Sequence, residues 1–135
     1  MGFRLIILDS EFRLLNSAFK AMGAITTHIL DVSRGRPASG VAVTLEIQLR
    51  EDGWELVGKG TTDADGRLKE LLPRDYVLTE GIYRLTFETN SYFASESIES
   101  FYPEVTIVFS VRDAAQHYHV PLLLSPFGYS TYRGS

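Results

Sequence analysis

The chain has 135 residues, 44% of them hydrophobic, and a net charge of −4. That length fits one domain with a proper core, and a mean hydropathy of −0.01 belongs to a globular chain, neither disordered nor membrane-spanning. Cysteine is absent, which excludes disulfides, zinc-thiolate sites and a thiol nucleophile, and the acidic balance argues against nucleic acid as the main partner.

The first 23 residues read apart from the rest. The apolar run Leu5–Leu8 stops at Asp9, with Ser10, Glu11 and Arg13 close behind, which does not fit a secretory signal. No apolar stretch is long enough to span a bilayer, so no membrane partner is expected. Leu5, Leu8, Phe12, Leu15, Phe19 and Met22 are spaced by three and four, which is a helical stripe. Residues 1–23 are therefore expected to form an extension with helical periodicity lying on a domain of residues 24–135. Arg13-Leu14 resembles the start of a peroxisomal signal, but Lys20 and Ala21 stand where His or Gln and then Leu would follow. The expected compartment is the cytoplasm, with the peroxisome second.

From Ala24 onward, strands alternate with turn chemistry at the spacing of a β-sandwich. Ala24–Leu30 is apolar and β-branched and is broken by Arg34-Gly35-Arg36-Pro37 and Ser39-Gly40. Val41, Val43, Leu45, Ile47 and Leu49 share one face of a second strand. Glu51-Asp52-Gly53 predicts a hairpin into Trp54–Thr62, and Asp63-Ala64-Asp65-Gly66 a further turn in which Gly66 takes positive φ. Ile82–Thr89 and Val105–Val111 are strands, and Asn90–Ser100 between them lacks alternation and has room for one short helix. His117–Leu124, a Ser125-Pro126-Phe127-Gly128 turn and a short strand near Tyr129–Tyr132 close the domain. The count is about eight antiparallel strands.

The three histidines are His28, His117 and His119. His117 and His119 are two apart and so emerge from one face of a strand, while His28 shares a face with Thr26 and Leu30. Facing histidines beside a cation suit acid–base chemistry near neutral pH; three could equally hold a metal, although the carboxylates that orient such ligands are not evident nearby. A lone strand histidine is most often structural, so spacing by itself leaves these readings open. Asp63-Ala64-Asp65-Gly66 resembles a calcium loop, but the twelfth position, where a bidentate Glu belongs, is Arg74. The turn reading stands, and it aims Arg67 from a rigid corner. The ending Ser130-Thr131-Tyr132-Arg133-Gly134-Ser135, with a Tyr, an Arg and a free carboxylate, could complete a polar pocket if the strand before it holds it there.

Four segments in order carry a family resemblance: Ile25-Thr26-Thr27-His28-Ile29-Leu30-Asp31, Thr62-Asp63-Ala64-Asp65-Gly66-Arg67, His117-Tyr118-His119-Val120-Pro121-Leu122-Leu123-Leu124-Ser125-Pro126, and Tyr132-Arg133-Gly134-Ser135. Phe101-Tyr102-Pro103-Glu104-Val105 also fits. The chain resembles the 5-hydroxyisourate hydrolases, the urate-pathway branch of the transthyretin-related proteins, over Ala24 to Ser135. The resemblance implies an all-β, transthyretin-like sandwich of two four-stranded antiparallel sheets with one short helix. It implies a homotetramer, a dimer of dimers with active sites at the dimer–dimer interface, acting on a small-molecule substrate. Carried over by motif, His28, Arg67, His119 and Ser135 are the catalytic set, with Tyr132 and His117 binding substrate. No metal and no cofactor is expected. A carrier with the same fold and no chemistry is the main rival, and a structural or adhesive sandwich is the third reading.

Overall fold

The structure, a computed structural model, describes residues 23–135. The stripe from Leu5 to Met22 lies outside the described residues. Nine strands and one helix follow in chain order: β1 Ile25–Asp31, β2 Arg36–Pro37, β3 Ala42–Gln48, β4 Trp54–Thr61, β5 Arg67–Leu68, β6 Gly81–Phe87, α1 Thr89–Ser95, β7 Val105–Val111, β8 Tyr118–Ser125 and β9 Gly128–Thr131. They form two sheets. One runs β4-β3-β6-β7, antiparallel throughout; the other runs β2-β1-β8-β9, with β5 also paired to β1.

The expected two-sheet sandwich with a short helix is present, with two refinements. The second sheet has five strands, because residues 36–37 and 67–68, read from sequence as turn flanks, each pair with part of the same β1 edge. The pairing of β1 with β8 is parallel, from Ile25↔Tyr118 to Asp31↔Leu124. A parallel pair needs a long crossover, and here the intervening chain builds the whole opposite sheet.

Period-two burial follows from the sequence alternation. In β1, Ile25, Thr27, Ile29 and Asp31 point inward, leaving Thr26, His28 and Leu30 outward. Val43 and Leu45 of β3, Tyr83, Leu85 and Phe87 of β6, and Val120, Leu122 and Leu124 of β8 fill the space between the sheets. Each fully buried side chain of this size contributes about 1.5–3 kcal/mol relative to exposure.

Two polar groups enter that interior with partners. Thr27 donates to the Val120 carbonyl at 2.6 Å, which ties β1 to β8 beneath the outward face. The Asp31 carboxylate, 0% exposed, accepts from Ser33 Oγ at 2.6 Å, Tyr92 Oη at 2.8 Å and Arg34 Nε at 3.0 Å. Burial pushes this carboxyl up, but the bonds from Ser33, Tyr92 and Arg34 outweigh it and hold its pKa below the ordinary value. Since Tyr92 belongs to α1, the same group fastens the helix to the end of β1.

Candidate active site on the five-stranded sheet

The parallel register sets Thr26 directly beside His119, both on the outward face. Thr26 Oγ1 and His119 Nδ1 lie 2.8 Å apart. One strand over, the antiparallel register of β5 sets Arg67 beside His28. Strand pairing alone thus gathers residues from near positions 27, 67 and 119 onto one surface.

Arg67 is delivered by the turn before it. Asp63 Oδ1 accepts from the backbone N–H of Asp65 at 2.9 Å and of Arg67 at 3.0 Å, and the Gly66 N–H donates to the Asp63 carbonyl at 2.9 Å. Those bonds, the Arg67 N–H first, hold the Asp63 carboxyl below its ordinary range. Gly66 has φ 74°, the positive value expected, and any Cβ there would lie 2.4 Å from the Ile29 carbonyl oxygen. Its own carbonyl accepts from the Ile29 N–H at 2.8 Å, which locks the corner onto β1.

The ending is held in place, as its chemistry suggested. Beyond β9, the Gly134 N–H donates to the His119 carbonyl at 2.8 Å. Arg133 donates to Gln116 Oε1 at 2.8 Å and to the His117 carbonyl at 3.2 Å, and its guanidinium sits 4.4 Å from the Tyr118 ring centroid. At Gly134 a Cβ would stand 2.6 Å from His119 Cδ2 and 3.3 Å from Pro121 Cγ. Only glycine lets the backbone lie this close along the imidazole edge.

A cavity of about 480 Å³ opens over this surface, lined by Thr26, Thr27, Arg67, Lys69, His117, His119 and Ser135. Four of the six residues expected at the site therefore line one concavity. His28 adjoins it beside Arg67, with its Nε2–H donated to the Asp65 carbonyl at 2.8 Å. Tyr132 is placed elsewhere: it is 57% exposed and lines a separate cavity of about 250 Å³ with Ile107, Phe109, Tyr118, Val120 and Arg133. His117 lies one residue before β8 begins, yet it keeps the outward direction it was expected to share with His119.

His119 is the electrostatic centre. Burial lowers its pKa from the ordinary 6.5, and the charges of Arg67 and His28 lower it further. The imidazole is thereby kept neutral near pH 7, the form that can accept a proton. Among the described residues no group of three His, Cys, Asp or Glu side chains is arranged to hold a metal ion.

Sequence reasoning passed over Thr26 and Lys69. The signal for both was parity: Thr26 is two residues before His28, and Lys69 two after Arg67.

Residues 25–134 match the HIUase/Transthyretin family. The chain is 50% identical over 112 residues to a probable 5-hydroxyisourate hydrolase of Caenorhabditis elegans, covering 83% of this chain and 82% of that protein. It is 48% identical over 111 residues to the 5-hydroxyisourate hydrolase of Salmonella dublin, covering 82% and 80%. Among solved structures, Klebsiella pneumoniae 5-hydroxyisourate hydrolase superposes with TM-score 0.74 at 38% identity, covering 84% of this chain and all (100%) of that one. Sea bream transthyretin in complex with thyroxine gives TM-score 0.77 at 31% identity, covering 82% and 94%. Backbone shape alone thus matches an enzyme and a hormone-bound protein about equally well. With a family match that spans nearly the whole described fold, and relatives about half identical to it, this chain belongs to the HIUase/Transthyretin family.

Proposed function

We propose that this chain is a cyclic amide hydrolase that converts 5-hydroxyisourate to 2-oxo-4-hydroxy-4-carboxy-5-ureidoimidazoline in urate degradation. One observation carries the reading: a neutral histidine, bonded through Nδ1 to Thr26, sits in a cavity with Arg67 and Ser135. A carrier of an apolar ligand has no use for that convergence. The relatives named as hydrolases support the same choice.

Ring opening needs an activated water, a stabilised oxyanion and a proton for the departing nitrogen. In the tautomer that donates Nδ1–H to Thr26 Oγ1, His119 keeps the Nε2 lone pair to take a proton from water. The hydroxide equivalent adds to the ring carbonyl carbon while the Arg67 guanidinium donates to the oxygen that becomes an oxyanion. The C–N bond then breaks, and the ring nitrogen takes the proton held by the imidazolium. His28 supports this relay from beside Arg67, and Ser135 with His117 orients the substrate. Tyr132 is kept as a wall that acts from its own cavity beside Arg133. No cofactor enters the scheme.

The working unit in this proposal is a homotetramer, a dimer of dimers. Its support is the position of the cavity on the outer face of a sheet, where a stacked subunit would roof it and exclude water. Sedimentation of the purified chain tests it, and a monomer at working concentration would remove it. The cytoplasm is the proposed compartment; a tagged full chain recovered with peroxisomes would replace it.

The deciding experiment generates 5-hydroxyisourate in the cuvette with urate oxidase and follows its ultraviolet decay. Acceleration by the purified chain well beyond the spontaneous rate is expected. Decay at the spontaneous rate, from a folded protein of the same assembly, would return the reading to a carrier like thyroxine-bound transthyretin.

A further inference from the structure

The cavity over His119 contains a second cation that the proposed reaction has not used. The β5–β1 register runs His28↔Arg67 and Thr27↔Leu68, and Lys69 follows directly on the end of β5, on the side toward Thr26. Thr26 in turn pairs with His119. Lys69, Thr26 and His119 all line the same cavity, Lys69 from the end of β5 and His119 from β8, on either side of β1. Neighbouring strands lie about 4.8 Å apart, so the two backbones are roughly 10 Å apart, wide enough for a single ring to lie between ammonium and imidazole.

The charge balance of this cavity is one-sided. No Asp or Glu lines it, and its one anionic group is the terminal carboxylate of Ser135, set against Arg67 and Lys69. Among the described residues neither Lys69 nor Arg67 forms an ion pair, although Arg34, Arg36 and Arg84 all do. Asp63 feels both cations, but its Oδ1 is already taken by two backbone N–H groups. Two cations against one terminal carboxylate leave the cavity with an excess of positive charge, an arrangement that suits a site in which negative charge appears.

Amide hydrolysis makes such a charge. Water adds its oxygen to the carbonyl carbon, the C–N bond breaks, the nitrogen leaves with a proton, and the new carboxylic acid ionises near neutral pH. A neutral amide becomes first an oxyanion and then a carboxylate. A planar guanidinium on a rigid corner suits a fixed carbonyl, whereas an ammonium on a flexible stem can follow a moving charge.

We propose that Lys69 is a specificity-determining residue of this site, taking the negative charge that hydrolysis develops opposite His119. The inference rests on the hydrolase reading and adds to it a residue that selects for substrates whose product is an anion.

The test compares the wild-type chain with Lys69→Met and Lys69→Arg in the 5-hydroxyisourate decay assay, with Tm measured for each. Loss of a charged hydrogen bond predicts roughly a tenfold fall in kcat/KM for Lys69→Met. The fall should lie in kcat with KM little changed, because the charge is absent from the ground state. Lys69→Arg should recover most of the activity, and added salt should slow the wild type more than Lys69→Met. A Lys69→Met chain within twofold of wild type in kcat and KM would overturn the role of Lys69 and leave the hydrolase reading standing. Equal losses in both variants together with a lowered Tm would also overturn it, as a structural effect. An inactive wild type would remove both proposals at once.

Discussion

On the outer face of the four-stranded sheet, Arg84 gives its Nε and one Nη to Glu46, at 3.0 and 2.8 Å, and lies 4.2 Å from the centroid of the Trp54 ring. On the outer face of the five-stranded sheet, Arg67 and Lys69 line a cavity that they share with the Ser135 terminal carboxylate but with no Asp or Glu, and among the described residues neither forms an ion pair. Both faces are products of the same period-two alternation, and both carry long cationic side chains. They differ in whether the charge is answered within the fold. An answered charge stabilises; an unanswered one, beside a histidine kept neutral, is available to a substrate. Similar backbones in a hydrolase and in thyroxine-bound transthyretin make this distinction the informative one, since the backbone cannot supply it.

The largest break in this contrast should come from His119→Asn. It is expected to lower the rate of 5-hydroxyisourate decay by about 10²–10⁴-fold with Tm nearly unchanged, which an ultraviolet assay and a thermal melt together would show. Next is Asp31→Ala, on the side of answered charge. It strips Tyr92 and Arg34 of their partner in a buried site, so urea denaturation should find a loss of about 3 kcal/mol, with activity per folded molecule retained. The sign with pH follows from a carboxyl whose folded pKa lies below 3.8: its contribution is present above that value and is lost as pH falls through the folded one. Gly134→Ala should come third. Its Cβ meets His119 Cδ2 at 2.6 Å, so the ending must shift off the imidazole, and kcat/KM should fall by about ten- to a hundredfold without unfolding.

A finer test concerns protonation. His119 should titrate below 6.5 by NMR, and the acid limb of kcat/KM should follow it. Arg67→Met removes a cation that disfavours imidazolium, so the titration should move up toward 6.5; a downward shift would contradict the assigned cause. The folded pKa being depressed, neutral His119 supports the fold above 6.5, and that support declines as pH falls through the folded value. Smallest of all should be Arg84→Ala. The partly exposed pair it breaks is expected to cost about 1 kcal/mol or less in a chemical melt and nothing in turnover.

Much of this was legible in sequence, for reasons particular residues make plain. The shared direction of His117 and His119 is local, because alternation carries it across two residues. Gly66 announced its positive φ because the Asp-rich turn needs a residue without Cβ. The short helix was legible from the loss of alternation after Thr89. What local patterns could not provide was partnership across the chain. The Thr26–His119 bond joins residues 93 apart, and nothing in either segment names the other. The parallel sense of β1 and β8 was hidden for the same reason, as was the pairing of β5 that carries Lys69 into the site. Tyr132 shows a further limit: with Thr131 and Arg133 it lines a different cavity from His119, while Gly134 lies along the imidazole edge. Motif membership says that a residue belongs to a segment, but the path of the chain beyond β9 decides which cavity it faces.

The parallel pair has a kinetic consequence as well. Joining Ile25–Asp31 to Tyr118–Ser125 closes a loop that contains the entire opposite sheet, a contact of high sequence separation whose entropy must be met before it returns any energy. The β3–β4 hairpin and the β6–β7 pair, joined through α1, close over much shorter separations and can form without any juxtaposition of Thr26 with His119. Recovery of turnover after dilution from denaturant should therefore trail the recovery of strand signal in circular dichroism, making enzymatic activity the reporter of the last long-range closure.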